Sequence, residues 1–162
     1  MCIRDRGSQH AARWVWLRAC GLGDDGTGWL DAVLGRIQVG PTLLPWKAFG
    51  VLDLDGTQHR LGGLLRGGTQ VDVRTDGARI GLVGPSAKVW VTATVPLTST
   101  VGWEYADPGG HRHEVVNCSV ATMRLEVQSD GRTTMCLPDR RGVLELGADV
   151  KQLDVPLQAY PD

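Results

Sequence analysis

Two carboxylates and three indoles sit where alternating side chains could build a site. Asp53 shares the parity of Asp55, Val51 and Phe49, and Glu126 shares that of Arg124, Thr122, Val120 and Cys118. Asp72 alternates against Val71 and Val73. On a barrel strand, alternate residues point into the lumen. A carboxyl facing an apolar lumen has its pKa raised and can donate a proton. The competing reading makes the same acids the solvent-facing alternates of half-buried strands. Trp14 and Trp16 share one face, Arg18 follows them on it, and Trp90 lies mid-strand. Indoles can line an apolar pocket while their N–H groups find partners. They can equally pack in a core or between domains. Asp53 and Glu126 are therefore the candidate catalytic acids, and Trp14, Trp16, Arg18 and Trp90 the candidate ligand-binding residues.

Other motifs add little chemistry. The chain has no GxSxG, HExxH, P-loop or GxGxxG. Gly62-Gly63 and Gly67-Gly68 are too sparse to cradle a phosphate and fit bulges at barrel corners better. His111 and His113 in an HxH pattern would present both rings on one strand face, as some zinc sites require. They follow Pro108-Gly109-Gly110, so a solvated loop is the expectation, with no metal and no cofactor. Asn117-Cys118-Ser119 matches a glycosylation sequon but lies mid-strand. Cys2, Cys20, Cys118 and Cys136 form no CxxC pair and read as thiols on apolar strands, with two disulfides open on paper.

Strands must position these residues. Residues 87–95 alternate Val89, Val91, Ala93 and Val95 against Lys88, Trp90, Thr92 and Thr94, which is a half-buried strand. Strand runs are expected at 13–20, 48–54, 58–65, 69–75, 78–83, 101–105, 132–137 and 142–147. Residues 115–127 are long enough for a curved barrel strand. Trp29 to Val39 has some helical spacing, but Gly35 and Gly40-Pro41 favour a strand. Asp55-Gly56, Asp76-Gly77 and Asp130-Gly131 each separate two runs, and Asp-Gly supplies the positive φ of a tight hairpin. Asp107-Pro108-Gly109-Gly110 makes a wider connection. Sequential hairpins predict an all-β antiparallel meander, closing into a barrel or forming a sandwich.

Size and charge bound the rest. The chain has 162 residues and 17.5 kDa, enough for one domain with a sizeable core. Charged residues are 22% and apolar ones 42%, a globular composition. Seventeen cationic and 18 anionic side chains leave a net charge of -1, which offers no engine for broad binding to nucleic acid. No apolar run is long enough for a membrane-spanning helix, and peripheral membrane contact stays open. Residues 1–10 carry no signal-peptide h-region. Met1-Cys2-Ile3-Arg4-Asp5-Arg6 resembles a leader produced by adaptor read-through in translated environmental assemblies, so the barrel is expected over 11–150. A tail or cut end is expected over 151–162. Cellular location is unreadable, with the cytoplasm as default.

The order of the pieces carries a resemblance. Trp14-Val15-Trp16-Leu17-Arg18-Ala19-Cys20 is followed by a glycine-bearing strand and a segment with Pro41 and Pro45. Then come Phe49-Gly50-Val51-Leu52-Asp53-Leu54-Asp55-Gly56, the 87–95 and 115–127 strands, and Gly142-Val143-Leu144-Glu145-Leu146-Gly147. Together, over roughly residues 13–147, they resemble the C-terminal half of the tocopherol cyclase-like family, related by fold to the hydroxyneurosporene hydratases. The resemblance implies a lipocalin-like (calycin) barrel packed beside an N-terminal barrel of the same protein. It implies an apolar isoprenoid or lipid-like ligand, and closure of a chromanol ring by proton donation to an alkene without a redox cofactor. Asp53 and Glu126 would be the acids, and Trp14, Trp16 and Trp90 would line the prenyl channel. Arg18 stands where that family has an uncharged amide, and Val120, Ala121 and Thr122 stand where acids are expected. The alternative is a non-catalytic module that holds an apolar ligand or packs against the other barrel. A third reading, carbohydrate on a flat indole face, needs Trp14, Trp16 and Trp90 or Trp103 exposed in one plane.

Overall fold

Period-two alternation sorts nearly every strand into an apolar and a polar face, and the fold follows from burying the apolar one. The computed structural model describes residues 11–106, 110, 112–138, 141–147 and 149–159. The leader, Cys2, Asp107-Pro108-Gly109 and His111 lie outside the described residues. The strands are β1 (Arg13–Leu22), β2 (Gly28–Arg36), β3 (Gln38–Val39), β4 (Thr42–Leu43), β5 (Lys47–Leu54), β6 (Thr57–Gly62) and β7 (Gln70–Arg74). They continue as β8 (Gly77–Val83), β9 (Ala87–Thr94), β10 (Thr100–Ala106), β11 (Arg112–Ser129), β12 (Arg132–Cys136), β13 (Gly142–Leu146) and β14 (Leu157–Ala159). The chain is all-β among the described residues, as expected, and 28–36 and 38–39 are two strands rather than a helix.

The sheet order is β6-β5-β2-β1-β13-β11-β9-β8-β7, almost entirely antiparallel and strongly curled into a half-barrel. Two departures from a simple meander stand out. β13 slots between β1 and β11 instead of extending the last hairpin. The sheet also does not close, because the end strands β6 and β7 share no ladder. Curling brings β6 close to the β8–β9 turn without pairing. A methyl group on Gly84 would sit 2.1 Å from the Arg60 carbonyl oxygen, and His59 Nδ1 lies 3.1 Å from Ser86 Oγ.

β11 is the shared hinge of the two halves. Its first half pairs with β10 and β13, its second half with β9 and β12. Between Cys118 and Ala121 the register against β13 slips by one residue. This bulge bends the strand and reverses its parity. Cys118 points inward before it, whereas Ala121, Met123, Leu125 and Val127 point inward after it. Glu126 therefore does not share a face with Cys118, contrary to the uninterrupted alternation read from sequence.

Asp55-Gly56 and Asp130-Gly131 are two-residue hairpin loops with positive φ at both positions, as expected. Asp76-Gly77 differs. The loop residues are Thr75 and Asp76, and Gly77 already pairs with Arg74. Glycine is required there because its φ is +150° and a Cβ would meet the Ala93 carbonyl oxygen at 2.0 Å. β6 stops at Gly62 rather than running to 65, because Gly62 and Gly63 turn the chain with φ of +80° and +125°. In the β1–β2 connection, the Thr27 amide and hydroxyl bond Asp25 and hold its carboxyl below the usual carboxylate range.

The concave side is occupied by one contiguous core. Leu17, Leu30 and Leu52 of one half meet Ile80, Met123 and Leu125 of the other, each under 2% exposed. Val150 and Leu153 join this core, and β14 pairs in parallel with β10. Residues 151–159, expected as a tail, are thus part of the fold. Cys118 and Cys136 are buried free thiols, and Cys20 is a half-buried one. No helix among the described residues is long and apolar enough to cross a membrane, which says nothing of strands.

Candidate functional site

Because the inward side chains form the core, any site must be sought on the outer face. There the register lines up one row across seven strands: Val101, Asn117, Glu145, Trp16, Val33, Phe49 and Gly62. At about 4.8 Å per strand the row spans about 29 Å. Phe49 is 53% exposed and Val33 37%, so the β1–β2–β5 part of the row is an open apolar stripe. A second row two residues along carries Val143, Arg18, Asp31, Val51 and Arg60. A third carries Trp29, Asp53 and Gln58. Trp29, Asp31, Phe49, Val51 and Arg60 line a shallow open groove of about 590 Å³ on this face.

The polar groups of the face satisfy one another. The Trp16 indole N–H donates to Asp31 Oδ1 at 3.0 Å, and Arg18 Nη1 lies 3.8 Å from Asp31 Oδ2. The Trp14 indole donates to Glu145 Oε1 at 3.2 Å, while the Asn117 amide donates to Glu145 Oε2 at 3.3 Å. Gln58 donates to Asp53 Oδ2 at 3.1 Å. Each indole is thereby fixed in orientation by a carboxylate on the neighbouring strand. The sequon Asn117 is likewise engaged on the outer face, consistent with its mid-strand position.

Trp14, Trp16, Arg18 and Asp53 are therefore brought onto one outer face. Trp90 and Glu126 lie opposite each other on the outer face of the other half. None of the six belongs to the core cluster. The two acids are on different halves of the sheet, and neither faces the enclosed side. Glu126 accepts from Gln128 at 2.9 Å, an exposed contact. Replacing Asp53 with Asn or Glu126 with Gln is expected to change stability by less than about 0.5 kcal/mol, measured by urea unfolding. A larger loss would mean that these acids carry structure beyond their amide partners.

Two indoles have a clear packing role. A Cβ on Gly147 would meet the Trp14 ring at 2.3 Å, and one on Gly81 would meet the Trp90 ring at 2.6 Å. Each ring lies over a cross-strand glycine and covers its bare backbone, an arrangement that restores packing lost at glycine in strands. Arg79 stacks on Trp90 at 5.0 Å, and His113 faces Trp14 at 6.0 Å with a 56° tilt. Trp14 is only 7% exposed, and Trp90 lies on the other half of the sheet. The flat three-indole platform required for carbohydrate is thus not assembled.

The residues missed from sequence are Trp29, Asp31, Val33 and Glu145. A signal existed for the first three, since Trp29, Asp31 and Val33 alternate with Leu30, Ala32 and Leu34. Glu145 could not be found, because its neighbours come from strands remote in sequence. No three described His, Cys, Asp or Glu residues are grouped to hold a metal ion. Comparisons with family models, with curated proteins and with solved structures found no match to the chain, and nothing in them identifies a tocopherol cyclase-like family.

Proposed function

We propose that this chain is a non-catalytic packing module, which docks the Trp16–Val33–Phe49 stripe against the apolar face of a second β-barrel domain. The supporting observation is the pairing of burial with satisfaction. The concave side is taken up by its own core, while the outer face shows an apolar stripe whose flanking carboxylates already bond Trp14, Trp16, Arg18, Asn117 and Gln58. Covering such a face leaves those bonded groups satisfied, and unsatisfied burial is what penalises most surface patches. Three rows of about 6.8 Å spacing across a ladder of at most about 29 Å give a footprint of no more than about 400 Å² in projection, about half of the roughly 800 Å² of accessible surface that a stable interface buries per partner, so the stripe is the centre of a contact rather than its whole. An apolar centre with a polar rim is also the usual interface anatomy.

The companion that the motif order suggests is the N-terminal barrel of a tocopherol cyclase-like protein. Mixing this chain with such a barrel should give a complex by titration calorimetry, lost in Phe49→Asp and retained in Glu126→Gln. A phytylated quinol supplied to the mixture should give no chromanol that depends on Asp53 or Glu126. Chromanol formation abolished by Asp53→Asn would overturn the non-catalytic reading. Failure of the two domains to associate would overturn the packing one.

A further inference from the structure

One end of the first half carries a different surface. It is the end where β2 finishes, β5 starts and β6 finishes, since Gly35 pairs with Lys47 and Phe49 with Gly62. Two connections project there. One is the loop after β6, where Leu64 is 71% exposed and Leu65 fully so at 102%. The other is the β3–β4 hairpin, which exposes Ile37, Val39 and Leu44.

Both projections are held from behind. The Gly63 amide donates to the Ala48 carbonyl at 2.7 Å, Lys47 Nζ donates to the Arg66 carbonyl at 3.3 Å, and Arg66 Nη1 donates to the Gly84 carbonyl at 3.4 Å. The Arg36 guanidinium donates to the carbonyls of Leu43 and Leu44, and the Leu44 amide to that of Ile37. The backbone of each tip is anchored while its leucines face water. Exposing two consecutive leucines on an anchored tip is unfavourable unless something apolar receives them.

Charge names the recipient. The chain at this end, residues 35–49 and 61–67, contains Arg36, Lys47 and Arg66 and not one Asp or Glu. The whole chain is nearly balanced, at 17 cationic against 18 anionic side chains, so this end concentrates cations against the average. The bonds of Arg36, Lys47 and Arg66 run to carbonyls rather than carboxylates.

We propose that this end docks on an anionic phospholipid bilayer. Leu64 and Leu65, with the Ile37–Val39–Leu44 hairpin, enter the interfacial zone, and the three cations lie at headgroup level. Apolar insertion beside basic residues is how peripheral proteins hold anionic membranes. The inference uses loop tips rather than the Trp16–Phe49 stripe, so it stands apart from the packing proposal.

The test is cosedimentation of the full chain with vesicles of phosphatidylserine and phosphatidylcholine, against phosphatidylcholine alone. Binding is expected only to the former and should weaken as salt rises. The double substitution Leu64→Ser, Leu65→Ser should weaken it more than about tenfold, because burying a leucine is worth that much or more. Arg66→Glu should weaken it about fivefold or more, the value of a basic residue near such a surface. Circular dichroism should show both variants folded, since Leu64, Leu65 and Arg66 are exposed. The proposal is overturned by absence of vesicle binding, or by binding that the double substitution leaves unchanged. Self-association lost in the same variant without vesicle binding would overturn it in favour of a protein contact.

Discussion

Deleting Ser119 should leave the chain folded and straighten β11. β11 pairs with four strands, and the extra residue between Cys118 and Ala121 is what reverses the parity of its second half against its first. With Ser119 gone, plain alternation from Cys118 still turns Ala121, Met123, Leu125 and Val127 toward the core and Thr122, Arg124 and Glu126 toward water, and the ladder to β13 runs on without its slip. A one-residue slip exchanges a whole face, and here the deletion and the lost bulge cancel. Circular dichroism and limited proteolysis report the outcome. A deletion variant that fails to fold would show that the bend at the bulge, and not only the parity it sets, is needed to join the two halves.

Truncating Leu17 to Ala should remove about 3–5 kcal/mol of stability, read by urea unfolding. Leu17 is fully buried at the centre of β1, opposite Leu144 on one side and Ala32 on the other. Both neighbours are tied into ladders, so the sheet cannot collapse into the space. The size of this loss distinguishes a filled interior from a hollow one. A side chain bordering an open ligand chamber would lose mainly its transfer term, nearer about 2 kcal/mol. A loss that small, with stability restored by an apolar ligand, would reinstate a lumen.

Strands were legible because each is short, alternates cleanly, and ends at turn residues with a mechanical reason to be there. The β5–β6 and β11–β12 hairpins show this directly, with positive φ on both Asp and Gly. Partner choice was not legible. Nothing near residues 142–146 says that they pair with β1, because the pairing depends on which sheet edge remains free once the hairpins have formed. The bulge was hidden because Cys118, Val120 and Thr122 are all tolerable on either face, so local polarity carried no mark of the parity change. The candidate acids were half legible. Period two showed that Asp53 and Glu126 lie opposite the leucines, but only burial shows that the leucine side is the interior. The Trp14 and Trp90 roles depended on Gly147 and Gly81, cross-strand neighbours that a one-dimensional reading does not bring together.

The insertion of β13 between β1 and β11 has a consequence for how the chain is made. Trp14 and Glu145, which share a hydrogen bond, are 131 residues apart. A ribosome adding roughly 5–20 residues per second leaves β1 waiting many seconds with one edge unpaired while the rest of the molecule emerges. Hairpins β1–β2, β5–β6 and β8–β9 can form early, but the two halves are joined through β1 only when the last strands arrive. Closure of such long-range contacts is slow. Nascent chains stalled before residue 142 should therefore be the species that chaperones and neighbouring nascent chains encounter.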